Sequence, residues 1–171
     1  MRKGILVTSF GTSYPETREK TIGAIENHIK EKFSDFEVRR AFTSSMVRKK
    51  IEKNEGIKID DVDEALKKMK EDGFEEIYIS SLHIIPGHEY KKVTHGAYRN
   101  KEGLNKIECA RPLLYSKEHY DEVVSFIEEI ANDLDKDEAL VLMGHGSDHA
   151  ANSAYVMMQY LMDRNPSTIH S

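Results

Sequence analysis

Apolar positions along this chain follow two alternating periods, a run or period of two over five to seven residues and then a period near 3.6. The segment Ile5-Leu-Val-Thr-Ser9, closed by Gly11, reads as a strand. Behind it, Ser13-x-x-Glu16 with Pro15 inside reads as a capping box. Ile22, Ile25, Ile29 and Phe33 then share one helical face that is expected to turn inward. Residues 36–42 predict a second strand, and Thr43-Ser-Ser45 caps another helix. Asp60 opens a further helix with Val62, Leu66 and Met69 inward and Gly73 as its stop, after which 74–82 reads as strand three and Pro86-Gly87 as a turn. A weaker helical stretch, 88–99, leads to a strand near 107–110. Residues 116–134 form an amphipathic helix with Val123, Phe126, Ile127 and Ile130 expected inward. A fifth strand is expected at 139–143 and a last helix at about 150–162.

Strands alternating with helices of this length predict an α/β fold, a doubly wound parallel sheet with helices on both faces. Right-handed crossovers put the strand-to-helix loops on one edge: 9–13, 43–45, 83–89, 111–115 and 144–149. Those loops hold most of the conspicuous polar residues outside helices, so the chemistry is expected on one rim. An internal repeat divides the chain. Gly4-Ile-Leu-Val-Thr-Ser-Phe-Gly-Thr-Ser13 lies over Ala139-Leu-Val-Leu-Met-Gly-His-Gly-Ser-Asp148, pairing Gly11 with Gly146, Thr12 with Ser147 and Phe10 with His145. The repeat implies one complete α/β half at 1–136 and the opening βα unit of a second half at 137–171, a truncated one. The apolar surface around the helix 150–162 agrees with that reading.

Composition narrows the partners. At 171 residues and 39% hydrophobic, the chain suits one domain with a real core. A net charge of -5 without a dense basic block argues against nucleic acid and for a small soluble ligand. No run of 18 apolar residues and no signal peptide is seen, so no membrane contact and a cytoplasmic location are expected. Cys109 is the single cysteine, which leaves histidine and carboxylate to hold any metal.

His145, held between Gly144 and Gly146 at the end of the expected fifth strand, is the most conspicuous candidate. Its imidazole sits where open α/β sheets bind ligands, though a tight turn alone would also account for the motif. Ser9, Phe10, Gly11, Thr12 and Ser13 form a hydroxyl-rich loop ahead of a helix start, suited to a substrate bearing carboxylates. Helix capping explains Ser13 equally well. His83 reads either as a hydrogen-bonded core histidine or as a functional one. His88 reads as an exposed loop residue, and His28, His95 and His119 as surface residues. His149 stands four residues beyond His145, a metal-pairing distance only if one helix carries both. Arg48, Lys91, Lys92 and Arg111 could pair with substrate carboxylates, but isolated basic residues do not rank as sites.

Ser9-Phe-Gly-Thr-Ser13, Arg40-Ala-Phe-Thr-Ser44, Ser81-Leu-His-Ile-Ile85 with Gly87-x-Glu-Tyr90, and Met143-Gly-His-Gly146 together resemble the anaerobic cobaltochelatases of cobalamin biosynthesis, over essentially the whole chain. The resemblance implies a class II, ferrochelatase-like chelatase with two similar α/β halves. It implies a lyase that inserts Co2+ into the tetrapyrrole sirohydrochlorin without ATP or an organic cofactor. The residue matching His145 would be metal ligand and proton acceptor, with a later glutamate and histidine that this chain does not contain. Glu89 matches the family pattern, and with His83, Ser9 to Ser13, Gly144 and Gly146 is assigned to the substrate. Imidazole and carboxylate suit Co2+, Ni2+, Fe2+ or Zn2+ alike, so the metal rests on the resemblance. The alternatives are a non-catalytic tetrapyrrole- or metal-binding fragment, or a related nickel or iron chelatase working as a homo-oligomer joined through the helix 150–162.

Overall fold

The structure, a computed structural model, describes residues 1–135 and 137–164. The chain divides by its contacts into two compact units, Met1–His83 with His88–Pro112, and Ile84–Gly87 with Leu113–Ser171.

In the first unit the elements are β1 (Lys3–Ser9), α1 (Pro15–Arg18), a π-helical turn (Glu19–Gly23), α2 (Ala24–Lys32), β2 (Glu37–Phe42), α3 (Ser45–Glu55), α4 (Val62–Glu71), β3 (Glu76–Ser81), α5 (His88–Arg99) and β4 (Lys106–Cys109). All four strands are parallel in the order β2-β1-β3-β4. β1 is flanked on both sides, and every residue after Lys3 is buried, which is why its sequence is a near-continuous apolar run. From β1 the chain steps one way to β2 and then crosses back past β1 to β3. Right-handed crossovers therefore put α1 and α2 on one face of the sheet and α3, α4 and α5 on the other, the doubly wound arrangement expected. Leu6, Ala41, Ile77 and Ile79 of the strands pack with Val62, Leu66 and Met69 of α4 and Val93 of α5 in one core. α4 starts on a true capping box: Asp61 accepts from the Glu64 N–H at 2.9 Å and Glu64 accepts from the Asp61 N–H at 3.0 Å.

Two expectations for the first helix fail. The cap is Tyr14, with no side-chain bond, rather than Ser13. Pro15 explains this: its fixed φ and missing N–H suit the first helical position, so Glu16 falls one place short of where a box needs it. The apolar stripe does not turn inward either. Ile25 and Phe33 are each 43% exposed, whereas Arg18, Gly23 and Glu26 are buried. The π-helical turn shifts the phase of everything after it. Two ion pairs then fix the polar side inward: Arg40 donates to both oxygens of Glu26 at 2.7 and 2.5 Å, and Arg18 grips both oxygens of Glu55.

The second unit contains α6 (Lys117–Asn132), a 3-10 turn (Ala150–Asn152) and α7 (Ser153–Asp163). Its core is Leu114, Val124, Ile127, Ala154 and Met158. α6 is rotated from the expected phase: Val124 and Ile127 face in, while Phe126 is 62% and Ile130 40% exposed. The expected strand at 139–143 is absent. Leu140 to Met143 run exposed, Met143 at 95%. A strand persists only where neighbours take up its N–H and C=O groups, and among the described residues no strand lies beside this segment. α7 buries Ala154 and Met158 but leaves Val156 and Tyr160 open, so its all-round apolar surface is covered on one side only. Among the described residues no helix is long and apolar enough to cross a membrane.

Candidate active site

The carboxyl ends of β1 and β3 form the switch point of the first unit's sheet, where the chain reverses its direction of strand placement and where open α/β folds bind ligands. Backbone bonds knit the loops there. Thr43 N–H donates to the Ser9 carbonyl and Leu82 N–H to the Thr8 carbonyl, both at 2.8 Å, and Ser44 N–H to the Phe10 carbonyl at 3.3 Å.

His83 sits in the middle of this rim, 9% exposed. Its Nδ1 lies 2.9 Å from Ser81 Oγ and its Nε2 3.3 Å from Thr43 Oγ1. Burial drives its pKa down to about 4, with Glu89 pulling it up and Lys92 pushing it down, so the ring is neutral at pH 7. The Thr43 hydroxyl also bonds the Glu89 carboxylate. We assign the tautomer in which Ser81 O–H donates to Nδ1 and Nε2–H donates to Thr43, whose single hydroxyl proton is shared between the Glu89 carboxylate and the Ser9 carbonyl at 3.4 Å. Glu89, in the first turn of α5, also receives Lys92 Nζ at 2.6 Å. Burial alone would raise the Glu89 carboxyl, but the bonds from Lys92 and Thr43 outweigh it and hold the group below the usual range. Two polar atoms in this cluster are buried without a partner, Ser9 Oγ and Glu89 Oε2. Such atoms are rare in folded proteins and call for an explanation, which a bound ligand would supply.

The loop after Ser9 is shaped by Gly11, whose φ of +91° lies in the left-handed region; a Cβ there would stand 2.4 Å from the Phe42 ring. Thr12 Oγ1 accepts from the Tyr14 N–H at 3.3 Å, and buried Arg18 donates to the Thr12 carbonyl at 3.4 Å. Phe10 is 48% exposed, and Ser13 is half-buried. Of the expected residues, Ser9, His83 and Glu89 thus share one cluster, joined by Thr43 and Lys92. Sequence reasoning left Lys92 among unranked basic residues and did not single out Arg18. Nothing local marks Arg18, since Glu55 lies 37 residues away, whereas Lys92 stands three residues from Glu89 on one helix, a spacing at which opposite charges pair.

In the second unit, the loop carrying His145 repeats the Gly11 loop in its backbone. Gly146 has φ +76°, and Ser147 Oγ accepts from the His149 N–H at 3.1 Å, two residues on, as Thr12 does from Tyr14. His145 is exposed. Gly144 is required for another reason, because a Cβ there would meet the Tyr155 ring at 2.8 Å. His149 caps the turn that starts at Ala150, its Nδ1 accepting from Ala151 N–H at 3.0 Å. His145 and His149 therefore share no helical face. Among the described residues no three or more His, Cys, Asp or Glu side chains are grouped to hold a metal ion.

The sequence profile described as cobalt chelatase (CbiK) matches residues 3–170. The chain belongs to the cobalt chelatase (CbiK) family. The sirohydrochlorin cobaltochelatase of Salmonella typhimurium is 36% identical over 162 residues, covering 95% of this chain and 61% of that protein. The sirohydrochlorin cobaltochelatase CbiKC of Nitratidesulfovibrio vulgaris is 31% identical over 172 residues, covering 99% of this chain and 60% of that protein. This CbiK-family chain thus spans about three-fifths of the length of the curated relatives it matches.

Proposed function

We propose that this chain supplies the first half, and the opening of the second, of a cytoplasmic chelatase that inserts Co2+ into sirohydrochlorin without ATP or an organic cofactor. The observation that carries the reading is the match of almost the whole chain to two proteins named for that activity. The reaction replaces two pyrrole N–H protons by one divalent ion, so it needs bases for two protons and a ligand that hands over the metal. A neutral imidazole serves both purposes in turn, and we assign that role to His145. Gly144 and Gly146 leave its ring free to project. Ser9, Phe10, Gly11, Thr12, Ser13, His83 and Glu89 are assigned to the tetrapyrrole, with Ser9 Oγ and Glu89 Oε2 as the atoms that gain partners on binding. His83, neutral and bonded on both nitrogens, acts through the Thr43 bridge to orient Glu89. Tetrapyrrole and metal are the partners we assign, with residues beyond those described completing the metal's coordination.

One observation favours a second reading. Since the described residues gather no three metal-ligating groups, the chain by itself would hold tetrapyrrole or metal without turnover. Anaerobic titration of Co2+ into sirohydrochlorin with this chain, and with a chimera carrying the Salmonella protein's segment beyond the match, tests both. Insertion by the chimera alone supports the first proposal for the fold and the second for the isolated chain. A folded chimera without insertion overturns the first.

A further inference from the structure

A cavity of about 380 Å³ opens in the first unit between the starts of α3 and α4 and one side of α5, lined by Arg48, Asp61, Asp63, His95 and Arg99 and adjoining the His83 cluster through Thr43 and Lys92. Its acceptors are already used. Asp61 takes the Glu64 N–H at 2.9 Å and Arg48 at 3.3 Å; Asp63 takes Arg99 and, at 2.8 Å, the Asn100 amide. Its donors are not. Arg48 spends its five N–H groups on two long bonds, 3.3 Å to Asp61 and 3.5 Å to Glu64, and its Nε is buried without a partner. His95 and Ser45, both lining the cavity, make no side-chain bond among the described residues. Val62 and Asp63, also on the wall, occupy the first two positions of α4, whose N–H groups have no acceptor within the helix. Asp61 and Asp63 on the wall, with Glu64 and Glu89 bonded to Arg48 and Lys92, fully balance the three cations Arg48, Lys92 and Arg99, so a ligand here is matched by spare donors and not by net charge. The group that complements donors without offering any is a carboxylate.

We propose that this cavity binds a carboxylate group, carried either by a small free carboxylic acid or by a side chain of the tetrapyrrole. The second source rests on the chelatase reading and the carboxylate site does not. The volume is in the range of small-molecule sites, more than one carboxyl needs. Lys92 is the shared element: its Nζ serves Glu89 at 2.6 Å and the Thr43 carbonyl at 3.4 Å while its side chain lines the cavity. A carboxylate in the cavity therefore competes with Glu89 for Lys92.

The test follows the backbone amide signals of α3, α4 and α5 by NMR as the chain is titrated with citrate, with uncharged glycerol as control. The proposal expects a saturable shift with Kd on the order of 1 mM, weakened about tenfold in Arg48→Gln and in His95→Gln at unchanged circular dichroism. No saturation, or equal affinity in both folded variants, overturns it. Sirohydrochlorin binding, read by its absorbance with and without citrate, then separates the sources. Competition assigns the site to the tetrapyrrole's carboxylates, and independent binding assigns it to a free acid. Citrate binding by a chain that ignores sirohydrochlorin leaves the carboxylate site standing and overturns the tetrapyrrole reading.

Discussion

His83 is the residue whose surroundings carry the clearest energetic consequence. Its native pKa of about 4 lies below the ordinary 6.5, so between those values the unfolded chain binds a proton that the native ring refuses. The stability it contributes is therefore complete above pH 6.5 and lost as the pH falls toward 4. The loss is on the order of 3 kcal/mol. Denaturant melts at pH 7 and 4.5 should show this slope, and His83→Gln should flatten it while leaving the contribution of the carboxylates, which titrate lower. The two repeat-related glycines make a second prediction. Gly11→Ala meets both left-handed strain and the Phe42 ring at 2.4 Å, and should cost about 2–4 kcal/mol. Gly146→Ala has open space around its Cβ and should cost only about 1–2 kcal/mol, from backbone strain alone. Equal melting shifts would contradict that reading. Both glycines were legible in the sequence through the repeat. Thr43 was legible only as a cap, because its bonds to His83 and Glu89 join loops that the chain order keeps far apart.

Among the elements, α4 and the start of α1 show opposite fates for the same sequence signal. Asp61 with Glu64 forms the box, and Asp61→Ala should lower stability by about 1 kcal/mol in a denaturant melt. Ser13 with Glu16 forms none, because Pro15 claims the first helical position, so Ser13→Ala should be nearly neutral to folding. The helix after Pro15 was legible in extent but not in phase. Its inward side is decided by the pair Arg18–Glu55, which no 3.6-residue period reveals. Arg18→Met should cost about 3 kcal/mol by stranding Glu55, while Arg18→Met with Glu55→Met should recover most of that loss. The 139–143 segment has the composition of a strand and, among the described residues, no neighbouring strand to make it one. Its exposed Val141 and Met143 show that a strand's existence depends on partners, which a single segment's pattern does not contain.

At the scale of the whole molecule, the alternation of strands and helices was enough to give the parallel sheet, but its order β2-β1-β3-β4 was not, because right-handed crossovers fix the face each helix takes and not which strands are neighbours. That the strand-to-helix loops share one edge was legible from the parallel sheet, while their meeting at the β1 and β3 ends depends on that order. The cavity beside Lys92 was not, because its donors come from three helices and each looks ordinary in its own segment. The match over residues 3–170 places this frame in the cobalt chelatase (CbiK) family. We propose that the ion passes through His145. The most direct measurement is the anaerobic rate of Co2+ insertion into sirohydrochlorin by the chimera with the Salmonella segment, compared with its His145→Ala variant. The account predicts a fall of at least about 100-fold, in line with the loss of a group that both ligates and accepts a proton, with tetrapyrrole binding retained. A His145→Ala chimera inserting Co2+ at the parent rate would contradict it.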